Sequence, residues 1–257
     1  MTFNLNFLPE VVAVFMLMFA RLGTMVMLMP GLGESSIPMR MRLSVAVMLT
    51  MILYPVGAAA YPANVLSNTI YLAVLVAGEF AIGFSIGLLS RMITAVLQTA
   101  GVIIAGQTGL SFALGTDITN EGQQGALLSN YMAILGVTLV FVTDSHYLVI
   151  AALHDSFSMF PPGDWLPVGD LAELATTTVA EVLSIATRLS APFIVVGLVF
   201  YFGLGLLNKL MPQMQIFFIA MPVNIALGLV LFLVLIGTMM TFYLDHFQQA
   251  LGVFTNG

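Results

Sequence analysis

Long stretches of this chain run without a single charged position. Residues 43–78, 92–116, 122–143, 189–208 and 210–244 contain no Asp, Glu, Lys or Arg. A helix needs about 20 apolar residues to cross the hydrocarbon core of a bilayer, and each of these runs reaches that length. Spanning β-strands would instead alternate apolar and polar positions over segments of about 10 residues. The runs are apolar throughout, so the pattern predicts helices at 8–30, 43–60, 69–91, 92–114, 127–153, 180–207 and 212–245. Turn chemistry separates them: Met29-Pro30-Gly31-Leu32-Gly33, Tyr54-Pro55, Tyr61-Pro62, the polar stretch from Thr116 to Gly125, Pro161-Pro162-Gly163 with Trp165-Leu166-Pro167, and Met211-Pro212.

Composition turns this pattern into a membrane assignment. Of 257 residues, 60% are hydrophobic and 7% charged, against about 25% charged in soluble domains. So few charges cannot cover a soluble surface. With no cysteine, disulfides, thiolate nucleophiles and Cys-ligated metals are excluded. A formal net charge of −6 excludes a basic nucleic-acid surface. The first ten residues lack the basic region of a secretory signal and no small-residue cleavage site follows, so the first span is expected to be retained.

Charge also suggests an orientation. Arg40, Arg42 and Lys209 mark cytoplasmic loops by the positive-inside rule. No Lys or Arg lies between Arg91 and Arg188, whereas Asp117, Glu121, Asp144, Asp155, Asp164, Asp170, Glu173 and Glu181 do. The loops at 115–126 and 154–179 therefore both favour the non-cytoplasmic side. Segment 127–153 would have to enter and leave on one side, yet it is too short for two crossings of about 20 residues each. Three solutions remain: the segment is re-entrant, one loop is inside despite its charge, or the helices do not lie in a flat bilayer.

Few residues carry candidate chemistry. Arg21, Glu79 and Arg188 lie within apolar segments, where a charge costs about 2.5–3.5 kcal/mol on insertion scales. Each should face protein or water, as part of an ion or substrate path or as a structural pair. Gly78, Gly83 and Gly87 run along one segment, the last two spaced for close helix approach. Gly101, Gly106, Gly109 and Gly115 surround Gln107-Thr108-Gly109-Leu110-Ser111-Phe112. Such density of glycine and hydroxyl residues disfavours regular helix. A break is expected there, as a plug with Leu110 and Phe112 as apolar stoppers, or as a plain connector. Nine of the 18 methionines, from Met16 to Met51, crowd the N-terminal fifth, as adaptable packing or ordinary filler. Asp144, His146, His154 and Asp155 form no compact metal-ligand motif, and no metal or cofactor is expected. Gly109-Leu110-Ser111-Phe112 lacks the second glycine of a nucleophile elbow, so no catalytic residue is expected.

The order of these features resembles the FliR family of type III secretion export-gate subunits. Phe19-Ala20-Arg21-Leu22-Gly23, Pro30, Ile37-Pro38, Arg42 and Pro55 resemble its opening signature; Gly78-Glu79 with Gly83 and Gly87 resemble its next helix. Ala100-Gly101-Val102-Ile103-Ile104, Gly109-Leu110-Ser111-Phe112 and Asp144-Ser145-His146 resemble its central part, and Leu189-Ser190-Ala191-Pro192 through Pro222 resemble the helical hairpin of the gate subunit FliQ. Injectisome counterparts share the pattern; Gly109-Leu110-Ser111-Phe112 leans flagellar. The resemblance implies an all-α integral membrane protein of helical hairpins, with a FliP-like part at 1–179 and a FliQ-like hairpin at 180–257. It implies one copy per gate with FliP and FliQ, contact with FlhB and FlhA, and passage of unfolded flagellar proteins across the bacterial inner membrane within the basal body. The plug would fall at 106–116, using Gly106, Gln107, Gly109, Leu110, Ser111, Phe112 and Gly115. Lys209 would offer a cytoplasmic contact. The alternative from another class is an ion-coupled secondary transporter using Glu79.

Overall fold

The computed structural model describes residues 8–34, 37–62, 65–66, 68–111, 126–164, 168–211 and 216–252. Among them the regular structure is helical: α1 (Leu8–Leu28), α2 (Met39–Gly57) with a 3-10 turn at Ala58–Ala60, α3 (Thr69–Gln107), α4 (Ala126–Val142), α5 (His146–Met159), α6 (Val168–Leu210) and α7 (Ile216–Gly252). The chain is thus an all-α integral membrane protein. α1, α2, α3, α6 and α7 are each long and apolar enough to cross a bilayer.

Three elements differ from the sequence reading. The segments expected at 69–91 and 92–114 are one helix, α3, of 39 residues. Only the usual span length suggested a division there; no Gly or Pro lies between Leu88 and Thr99. The break expected over Gln107–Phe112 begins where α3 ends, at Gln107, and Gly109 takes a φ of 72°; the flanking Gly101 and Gly106 stay within the helix. Tertiary packing overrides the low helix propensity: a Cβ on Gly101 would come within 2.6 Å of the Ser129 Cα on α4. Conversely, the single segment expected at 127–153 is two helices, α4 and α5, bent by 74° at their junction. Asp144 takes a left-handed φ of 57° at that bend. A bend of this size fits a broken span or a re-entrant loop. α6 also starts a dozen residues earlier than expected. Along its first turns the hydroxyls of Thr176, Thr177 and Thr178 donate back to carbonyls of the same helix.

The described chain divides into two compact units. The first comprises residues up to Ile93, Phe141–Thr178 and the end of the chain from Gln248. Its interior is built from Leu17, Met18, Leu22, Met25 and Val26 of α1, Ile82, Ile86 and Leu89 of α3, and Ala152, Leu153 and Phe157 of α5. The second comprises Thr94–Val140 and Val179–Phe247, with an interior of Val96, Leu97, Ala100, Ile104, Met132, Ala186, Phe193, Tyr243 and Phe247. Hydroxyl-to-carbonyl bonds join helices there: Ser129 to the Gln98 carbonyl at 2.9 Å and Ser190 to the Ala100 carbonyl at 3.3 Å. Burial is uneven. The most apolar stretch of α1 is 44% buried, whereas those of α2 and α7 are 17% buried. α1 is therefore the most covered of these helices, while α2 and α7 leave most of their apolar stretch uncovered by the chain.

Candidate functional site

The first site is a charged cluster inside the first unit. Arg21 of α1 is 0% exposed and Glu79 of α3 is 2% exposed. The guanidinium grips the carboxylate as a fork: Nε donates to Oε2, and Nη2 donates to Oε1 at 3.1 Å. The remaining donors reach the C-terminal turn of α5, with Nη1 on the Ser156 carbonyl and Nη2 on the Phe160 carbonyl, both at 2.9 Å. A cation at a helix C-terminus complements its dipole; here it meets the Phe160 carbonyl and adds a second donor to the Ser156 carbonyl, which also accepts the Phe160 N–H at 3.0 Å. The Phe157 ring lies 4.6 Å from the guanidinium carbon and adds a cation–π contact. One arginine thus joins three helices. The Tyr61 hydroxyl is buried beside this pair without completing a hydrogen bond of normal geometry. Burial, and then the Glu79 carboxylate, push it well above the usual phenol range.

The glycines of α3 allow this approach. A Cβ on Gly83 would stand 2.1 Å from the Arg21 carbonyl oxygen, and one on Gly87 would stand 2.9 Å from the Leu28 Cβ. Both face the backbone of α1, one turn apart. Gly78 is half-buried and lines a different feature, a cavity of about 550 Å³ between Tyr71–Ile82 of α3 and the turn Pro161–Asp164, with Glu79 on its wall.

The second site is the end of α3, in the second unit. Its last residue, Gln107, is held by the side chain of Asn224 on α7, whose Nδ2 donates to the Gln107 carbonyl at 3.2 Å. Thr108 closes its hydroxyl onto the Ile104 carbonyl at 2.9 Å. Gly109 then turns the chain with a φ of +72°, a conformation that costs other L-residues about 1–2 kcal/mol. Leu110 and Ser111 follow, both half-buried. Phe112 and Gly115 lie outside the described residues, as do 116–125, Trp165–Pro167 and Pro212.

Of the intramembrane charges, Arg21 and Glu79 come together, while Arg188 sits apart on the exposed side of α6. Lys209 is exposed in the last turn of α6. Gly106 is exposed, with no neighbouring atom near the position of a Cβ. His154 pairs with its neighbour Asp155 at 2.8 Å on the outside of α5, and Asp144 and His146 lie at the α4–α5 bend. No group of three or more His, Asp or Glu suited to a metal occurs among the described residues. Asn224 was missed by sequence reasoning. Its signal was present, as an amide two residues after Pro222 inside the uncharged run 210–244.

Long apolar helices, three of them joined by a buried ion pair, define a helical membrane protein. Residues 12–250 match the pattern of the bacterial export proteins, family 1, and the chain belongs to that family. It is 41% identical to the flagellar biosynthetic protein FliR of Caulobacter vibrioides, over 93% of this chain and 94% of that one. It is 32% identical to the flagellar biosynthetic protein FliR of Escherichia coli K12, over 78% of this chain and 75% of the relative. It is 24% identical to the Yop proteins translocation protein T of Yersinia pestis, over 76% and 75%. The protein is a membrane-embedded component of a flagellar or type III export apparatus. Its family is a structural one rather than a family of enzymes.

Proposed function

We propose that this chain is a channel-forming subunit of the flagellar export gate, lining part of the path by which unfolded flagellar proteins cross the bacterial inner membrane within the basal body. The observation that carries this reading is the match to export proteins across residues 12–250. Helix length supports it. α3, α6 and α7 contain 39, 43 and 37 residues. At 1.5 Å per residue they extend about 58, 64 and 56 Å, roughly twice the ~30 Å of a hydrocarbon core. The apolar sides of such helices suit a setting partly walled by other proteins. The partners in this reading are FliP and FliQ, in a hetero-oligomer with one copy of this chain, together with FlhB and FlhA. Residues 1–179 act as the FliP-like part and 180–257 as the FliQ-like hairpin.

Within the gate, 106–116 is the plug. Leu110 and Phe112 occlude the path, and the glycines at 106, 109 and 115 give the segment its freedom. Arg21 and Glu79 fix helix positions, Arg188 meets a neighbouring subunit or water, and Lys209 contacts a neighbouring component on the cytoplasmic side. No residue acts catalytically and no cofactor is required. Two experiments test the proposal. Native mass spectrometry of the tagged chain, expressed with its partners, should find one copy among several copies of two other small membrane proteins; a stable partner-free monomer that drives ion-coupled uptake in liposomes would sink it. Deleting 108–113 should make the assembled complex leak ions, and unchanged membrane conductance would reject the plug.

A further inference from the structure

We infer that Asn224 is a positioning residue that anchors the end of α3 and so sets where the central glycine-rich segment begins. For its bearing on gating, this rests on the plug reading above. The anchor itself rests on geometry. Asn224 is 4% exposed, buried in the uncharged N-terminal half of α7, and its amide donates to the carbonyl of Gln107, the final residue of α3. The last carbonyls of a helix have no partner within it, and in an apolar setting an unmet carbonyl is costly. A buried amide on a neighbouring helix answers that need at one defined point.

The surroundings hold the same point from two sides. On α7, one turn beyond Asn224, a Cβ on Gly228 would stand 2.3 Å from the Thr108 Cγ2. On α6, a Cβ on Gly197 would stand 2.7 Å from the Gln107 Oε1 and 3.3 Å from its carbonyl oxygen. Two glycines thus let α6 and α7 close on Gln107 and Thr108, and Asn224 supplies the directional bond. Just beyond, a Cβ on Gly109 would lie 3.3 Å from the Asn224 Nδ2, so the left-handed turn starts against the same side chain.

Because the chain contains no cysteine, one introduced thiol reports cleanly. In the assembled complex carrying Ser111→Cys, the rate of labelling by a membrane-impermeant maleimide measures how firmly the segment's start is held. Asn224→Leu keeps the approximate volume and removes the donor; it should raise that rate about fivefold, the scale of losing one hydrogen bond. Asn224→Asp keeps the size and replaces the donor with an acceptor, and it should act in the same direction if the leucine variant does not assemble. Asn224→Gln retains an amide donor and should keep part of the protection. An unchanged rate in an assembled Leu or Asp variant overturns the anchor. Ion conductance measured on the same membranes separates the two readings. Faster labelling with a leak supports both, and faster labelling without one keeps the anchor while counting against the plug.

Discussion

The Arg21 cluster and the end of α3 solve the same problem with different strength. Each must satisfy helix-terminal carbonyls in an apolar interior. At the first, a charged fork engages a carboxylate and two carbonyls of α5 at once. At the second, one neutral amide engages one carbonyl, and glycines supply the closeness. A multidentate charged joint is strongly destabilised by loss of either partner, because the other is left as a buried charge. A single neutral bond contributes only about 0.5–1.5 kcal/mol. The first suits a permanent joint between helices, the second a position that can be released.

The largest expected effect breaks the strong joint. Glu79→Ala should cost about 3–5 kcal/mol and lower both the melting temperature and the yield of assembled complex. Replacing both partners, Arg21→Met with Glu79→Met, should recover only part of the loss, since the Phe160 carbonyl then loses its Arg21 donor and the Ser156 carbonyl keeps only the Phe160 N–H. Full recovery would reduce the cluster to a plain ion pair. Next comes the close crossing that positions it. Gly83→Ala would place a methyl against the Arg21 backbone and should cost about 1–3 kcal/mol. Gly106→Ala on the same helix meets open space and should be neutral or stabilising by up to about 1 kcal/mol. Melting curves of the two variants in parallel test this ordering. Among the destabilising changes the mildest belongs to the weak joint: Gly109→Ala should cost about 1–2 kcal/mol for its left-handed φ, read as a modest shift in melting with assembly retained. A loss as large as that of Glu79→Ala would erase the distinction between the two joints.

Much of this architecture was legible in the residues. Uncharged runs marked the helices because a backbone in lipid must satisfy its own polar groups. The Gly83–Gly87 spacing marked a possible close approach, and the costly charges at Arg21 and Glu79 marked positions needing a partner. Periodicity says nothing of how far a helix runs once it no longer needs to stop at the bilayer surface, so the continuity of α3 through Arg91 and the early start of α6 at Val168 are not legible in it. Nor did it reveal the bend at Asp144, where the flanking residues include neither Gly nor Pro.

By itself, then, the sequence determined membrane embedding, helical class and the family, because these follow from apolar run length and from the order of residues along the chain. Only the tertiary structure decided that Arg21 meets Glu79 and the end of α5, that Gly83 and Gly87 face α1, and that Asn224 reaches Gln107. Those partners are separated by 58, 135 and 117 residues in the chain, and local propensity carries no information about which distant backbone a side chain will face.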